Sequence, residues 1–156
     1  MLSFDKLTIK AQEALQKAQQ WASEHGHQQI EPVHLLHGLL DFPEGIARSI
    51  FKKSGVDPDL VKERCHDILA KVPRVSGGVG QIYLADSTNK LFDRALKEAN
   101  QLRDEFVSVE HILLALSEDK TDTGQLLREQ GLSYDVILKV MRDIRGSQRI
   151  TDQSPE

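Results

Sequence analysis

The chain has one cysteine, few aromatic residues, no surplus of positive charge and no long apolar run. Each shortage removes a class of function. Cys65 is the only cysteine among 156 residues, so no internal disulfide can form, and a reducing cytoplasm is the expected compartment. Phe, Trp and Tyr make up 5% of the residues, too few for a base-stacking surface. The formal net charge is −4 with no basic block, which argues against a nucleic-acid footprint and against attraction to an anionic membrane. No apolar stretch approaches the roughly 18 residues of a membrane span. The start, Met1-Leu2-Ser3-Phe4-Asp5-Lys6, lacks the basic-then-apolar pattern of a secretory signal. The length suits one compact domain that buries about 70% of its unfolded surface.

What the chain does have is a repeat. Ile30-Glu31-Pro32-Val33-His34-Leu35-Leu36-His37-Gly38-Leu39-Leu40 returns as Val107-Ser108-Val109-Glu110-His111-Ile112-Leu113-Leu114-Ala115-Leu116-Ser117, with His34 aligned on His111 at an offset of 77. At the same offset Ala14, Leu15, Ala18 and Ala22 fall on Leu91, Phe92, Ala95 and Ala99. Downstream the offset is 76: Ile50-Phe51 meets Leu126-Leu127, Gly55-Val56 meets Gly131-Leu132, and Leu60, Val61 and Ile68 meet Val136, Ile137 and Ile144. One residue is missing from the loop that corresponds to Asp41–Gly45, where deletions are tolerated. A register kept across several separate elements marks an internal duplication.

Apolar spacing and helix punctuation predict four helices per copy. The first runs from the Thr8 cap to about His25, with Ala11, Ala14, Leu15, Ala18 and Ala22 on one face, small enough for a second helix to approach closely; Gly26 ends it. A short buried helix follows, with Pro32 in its first turn. The third spans about Ile46–Lys53. The fourth begins at Asp57-Pro58 and runs to about Lys71, where Cys65, matched by Met141, reads as a core residue. The second copy places helices at about Ser87–Arg103, Val109–Ser117, Thr123–Glu129 and Tyr134–Arg145, with Ser108 and Ser133 as caps. The fold class is therefore all-α: two tandem four-helix repeats, about eight helices, related by pseudo-twofold symmetry. Repeat one covers about 8–71, a connector 72–84 and repeat two about 85–145, in a domain of 1–146; residues 147–156 read as a polar linker.

No catalytic chemistry stands out. Gly77-Gly78-Val79-Gly80 lacks the lysine of a phosphate loop and no strand precedes it. His34 and His37 share a helix face, but no third ligand stands at metal spacing, so no metal is expected. Ser, His and Asp occur without a strained-turn motif. His34 and His111 sit in apolar sequence and are expected to be buried and bonded to nearby backbone.

Positions that break the internal symmetry are better functional candidates than those that keep it. Asp104-Glu105-Phe106 replaces His27-Gln28-Gln29, and Glu110 replaces Val33. Asp104 follows a helix C-terminus, where a negative charge opposes the macrodipole. The bland reading of both acids is a solvated rim.

The Leu7-Thr8 lead into an alanine-rich helix, the Ile30–Leu36 segment and the Phe106–Glu110 segment together resemble the N-terminal Clp repeat domain of the hexameric Clp ATPases, of the AAA+ class. The connector Val72-Pro73-Arg74-Val75-Ser76-Gly77 and the ending Arg145–Glu156 resemble its disaggregase branch. The resemblance spans essentially the whole chain. It implies a non-catalytic, stress-response chaperone domain that captures unfolded or aggregated polypeptide for an ATP-driven homo-hexamer working with the DnaK chaperone system. ATP and magnesium would belong to ATPase modules absent here; this chain by itself would be monomeric and without cofactor. By position, Thr8, Asp104 and Glu110 match residues that the branch uses for substrate, and His111 is added to them as a neighbour. Arg94, Glu98 and His111 stand where the branch can carry leucine, so this groove is expected to be less apolar. Removing charge at Asp104 and Glu110 is expected to lower client binding without lowering stability. The alternative is an adaptor-docking domain of the protease-associated branch.

Overall fold

The computed structural model describes residues 3–78, 80–146, 149–151 and 153–154. A single 3-10 turn, Phe4–Lys6, leads into α1 (Ile9–Glu24). α2 (Pro32–Leu40), α3 (Ile46–Lys53) and α4 (Pro58–Leu69) complete the first repeat; α5 (Asp86–Gln101), α6 (Val109–Ser117), α7 (Asp122–Glu129) and α8 (Tyr134–Arg145) form the second. The all-α duplication read from the sequence is the observed architecture.

α2 and α6 are the centre. Every residue of each is buried, so neither has a polar face, as a wholly interior helix requires. The other helices lay one apolar stripe each against this pair. α1 comes closest, because Ala11, Ala14, Ala18 and Ala22 line its inner face and Gly38 of α2 lies opposite. A Cβ on Gly38 would stand 2.7 Å from Ala14 O and 3.3 Å from Ala18 N. Cys65 lies in the core with Val61 and Leu69, and burial pushes its thiol up to about 12.

Two short parallel pairings stitch the repeats together. Strand β1 (Gln29–Ile30) pairs with β2 (Tyr83–Leu84), Ile30 facing Leu84; Leu7 pairs with Val107 as an isolated bridge. Leu7 and Leu84, like Ile30 and Val107, are equivalent positions of the two repeats. The segment that leads into the first helix of each repeat therefore binds the segment that leads into the central helix of the other. The stretch before Pro32 and the end of the connector, both outside the helices expected from sequence, supply β1 and β2. The predicted connector has one residue, 79, outside the described set; of the predicted linker, residues 147, 148, 152, 155 and 156 lie outside it.

Candidate functional site

Asp104, Glu110 and His111 come together at one edge of the second repeat, Thr8 of the first repeat reaches that edge through Val107, and all four are buried. Thr8 caps α1: its hydroxyl accepts from the Ala11 amide at 3.2 Å, and its own amide donates to Val107 O at 2.9 Å. Arg103, with φ of 59°, turns the chain back after α5 and delivers Asp104 beneath α6. There the Ser108 amide donates to His111 Nδ1 at 2.8 Å, which leaves the ring proton on Nε2. That proton goes to Asp104 Oδ2 at 2.7 Å.

Two further donors reach Asp104, both from the end of the chain. Arg145 Nη1 donates to Oδ2 at 2.7 Å, and the Ile150 amide donates to Oδ1 at 2.6 Å. Arg145 Nη2 donates to Glu110 Oε2 at 3.1 Å, so one guanidinium bridges both acids. Burial alone would raise the Asp104 carboxyl, but the bonds from His111, the Ile150 amide and Arg145 outweigh it and hold the group below the usual carboxylate range. These partners answer the unfavourable placement of Asp104 behind a helix C-terminus. They also correct the picture of a solvated acidic rim: Asp104 is 6% and Glu110 7% exposed, because the end of the chain lies over them. Beyond Arg145, the Ile150 carbonyl accepts from the Glu105 amide at 2.6 Å and the Gln153 carbonyl from the Ile9 amide at 2.7 Å. Gln153 Nε2 donates to Asp5 O at 2.7 Å.

On the neighbouring surface, between the repeats, Phe4, Leu7, Leu15, Leu84 and Phe92 line an apolar depression of about 140 Å³. Phe4 is 47% exposed there. Two larger grooves flank it as a symmetric pair of unlike character. One, of about 500 Å³, carries Ala14, Leu39, Phe42 and Ile46; its counterpart, of about 570 Å³, carries Lys90, Arg94, Lys97 and Lys120 around Leu91 and Ala115. Arg94 and Glu98, expected to make the face less apolar, are tied to each other at 3.0 Å, and the Tyr134 hydroxyl donates to Glu98 at 2.5 Å. Glu98 is buried, so the polar character of this face comes from Arg94 and the lysines together with Asp93, Glu118 and Asp119.

The histidines of the first repeat form a separate cluster. The Glu31 amide donates to His34 Nδ1 at 2.8 Å, and His34 Nε2 lies 2.8 Å from His27 Nδ1. His37 Nε2 lies instead 2.9 Å from His66 Nε2, so His34 and His37 do not converge on one point. Among the described residues no three His, Cys, Asp or Glu side chains are arranged to hold a metal ion. His34 and His111 are buried and bonded to backbone amides, as their apolar surroundings imply. Trp21 stacks on His25 with ring centroids 3.5 Å apart and lies within 6.4 Å of the rings of His27, His34, His37 and His66. Burial and the neighbouring histidines depress His34 to about 4; burial, His66 and Lys62 do the same to His37.

Sequence reasoning missed Arg145, Ile150 and Gln153 at the acid site, and the 3-10 turn that carries Phe4. One faint signal for the first group was Ile150, an isolated aliphatic residue in a polar stretch.

A family model described as the Clp repeat N-terminal domain matches residues 6–130. The chaperone protein ClpB of Bacillus cereus is 40% identical over 158 aligned residues, which cover 99% of this chain and 18% of that protein. A ClpB of Synechocystis is 38% identical over 97% of this chain and 17% of its own length. This chain thus spans about a fifth of the curated relatives it matches. Among solved structures, the Hsp104 N-terminal domain from Candida albicans superposes with a TM-score of 0.82 at 26% identity, covering 94% of this chain and 96% of that one.

Proposed function

The chain belongs to the Clp repeat N-terminal domain family, and we propose that it is the client-capture domain of a ClpB-type disaggregase. It takes hold of apolar side chains exposed on unfolded or aggregated polypeptide and has no turnover of its own. ATP and magnesium act in ATPase modules outside this chain, in a soluble cytoplasmic homo-hexamer that works with the DnaK system.

The observation that carries this reading is the apolar depression between the repeats, with Phe4 half exposed beside Leu7, Leu15, Leu84 and Phe92. It is shallow, open and unspecific in outline, which suits short apolar stretches of many sequences. A site of this size buries little area, and ordering a disordered client opposes binding, so affinity is weak. Weak capture suits a domain that hands its client on.

The test is a titration of the isotope-labelled chain with a permanently unfolded polypeptide, followed by amide shifts. Shifts clustered on Phe4, Leu7, Leu15, Leu84 and Phe92 support capture in the inter-repeat depression. Silence there, with shifts only when a folded adaptor protein is added, overturns it in favour of adaptor docking.

A further inference from the structure

We propose that Asp104 and Glu110 form a docking cleft for this chain's own final segment, with Arg145 as its plug and Ile150 and Gln153 as its clip. In the closed form the two acids bind the segment that leaves the domain and are not free for a client.

The comparison between repeats isolates the three charged residues. Asp104 stands where the first repeat has His27, Glu110 where it has Val33, and Arg145 where it has Leu69. In the first repeat these places are filled without carboxylates: His27 meets His34, and Val33 and Leu69 are core residues. Packing of a helical repeat therefore does not require this charge set. The second repeat replaces all three positions, and the three replacements meet, Arg145 Nη1 on Asp104 at 2.7 Å and Nη2 on Glu110 at 3.1 Å.

The segment beyond α8 is held by backbone as well as by charge. The Ile150 amide and carbonyl bond Asp104 and Glu105, the Gln153 carbonyl takes the Ile9 amide, and Ile150 itself is 7% exposed. These contacts run from the α5–α6 loop across to the start of α1, both of which also border the Leu7–Val107 bridge. Arg145 Nε is buried with no hydrogen-bond partner among the described residues, a cost that the closed state carries and a hydrated, released arginine does not. Release would leave two adjacent carboxylates facing solvent beside the N-terminus of α1. How firmly Ile150 and Gln153 are held is then set by one arginine.

Amide hydrogen exchange on the whole chain reads this directly. In the wild type the Ile150, Glu105 and Ile9 amides are protected. Arg145→Lys cannot bridge two carboxylates with one ammonium, and Ile150→Ser weakens the clip without touching the acids. Either variant should speed exchange at those amides about tenfold, the effect of losing one charge-assisted bond or its equivalent, while Leu36 and Leu113 in the central helices keep their protection. Unprotected Ile150 and Ile9 amides in the wild type overturn the proposal. So does an equal loss at Leu36 and Leu113 in both variants, which makes the contacts part of the fold and not a latch. No client enters this measurement, so it and the capture reading can fail separately.

Discussion

His111 Nε2 lies 2.7 Å from Asp104 Oδ2, and one repeat earlier the same geometry joins His34 Nε2 to His27 Nδ1 at 2.8 Å. In both, a backbone amide at the start of the central helix fixes the ring by donating to Nδ1. Duplication kept the device and changed the acceptor. A neutral imidazole closes the loop in the first repeat. In the second a carboxylate does so, and a carboxylate can recruit a guanidinium. The two halves therefore respond differently to acid and to substitution.

Acid should destabilise the first repeat before it reaches ordinary carboxylates. His34 and His37 are held near 4, and His27 is also depressed by burial, His25 and Arg74. An unfolded histidine titrates near 6.5, so between about 6.5 and 4 the unfolded chain binds more protons than the folded one. The stabilisation is complete above that window and is lost as pH falls through it. Linkage puts the loss at up to about 2 kcal/mol for His34 and likewise for His37 at pH 5. Urea unfolding at pH 7 and pH 5, followed by Trp21 fluorescence, checks this; equal midpoints would contradict it.

Gly38→Ala should destabilise despite the better helix propensity of alanine. Propensity favours the change by about 1 kcal/mol. The new Cβ, however, would meet Ala14 O at 2.7 Å, backbone that can yield only if α1 moves off α2. Overpacking of this kind costs roughly 1–3 kcal/mol, so the net effect is a lower Tm by scanning calorimetry. The second repeat carries Ala115 at the same place, so Ala115→Gly serves as a control that removes a methyl without relieving a clash.

Asp104→Asn should cost far more stability than Glu110→Gln. Asp104 is buried and accepts from His111, Arg145 and the Ile150 amide, whereas among the described residues Glu110 accepts only from Arg145. Losing the Asp104 charge weakens three bonds at once and costs roughly 3 kcal/mol; weakening the one bond at Glu110 costs about 1 kcal/mol. From sequence, removing the charges at Asp104 and Glu110 is expected to leave stability unchanged; the bonds to Asp104 predict instead a loss of stability at that position. Chemical unfolding of the two variants separates them, and matching losses would show that the bonds to Asp104 contribute little.

Periodicity and punctuation carry far when a segment is long and amphipathic. The α3, α6 and α8 bounds, Ile46–Lys53, Val109–Ser117 and Tyr134–Arg145, follow from apolar spacing with Gly, Pro and Ser at the ends. Two residues have no period, so β1 and β2 were invisible as strands, although the repeat did align Ile30 with Val107. The acids were found because they break the symmetry. Their solvation was misread because the residues that bury them are distant in sequence: Arg145 lies 41 and 35 residues from its two partners. A basic residue in the last turn of a helix is already explained by the helix dipole, and nothing local in its neighbourhood says that it reaches Asp104.

Phe4→Ser is the sharpest test of where clients bind, because it separates binding from folding. Phe4 lines the inter-repeat depression yet is 47% exposed, while Phe92 on the opposite wall is 4% exposed. Removing the half-exposed ring gives up about half of the 1.5–3 kcal/mol of a fully buried apolar side chain when a client covers it. That corresponds to roughly five-fold weaker binding, with little change in unfolding midpoint. Phe92→Ser has the opposite profile: it opens a cavity in the core, costs several kcal/mol, and any loss of binding follows from loss of fold. Anisotropy of a labelled unfolded polypeptide, measured beside thermal unfolding of both variants, gives the two readouts together. Unchanged affinity in folded Phe4→Ser would move the client out of the depression and onto one of the flanking grooves.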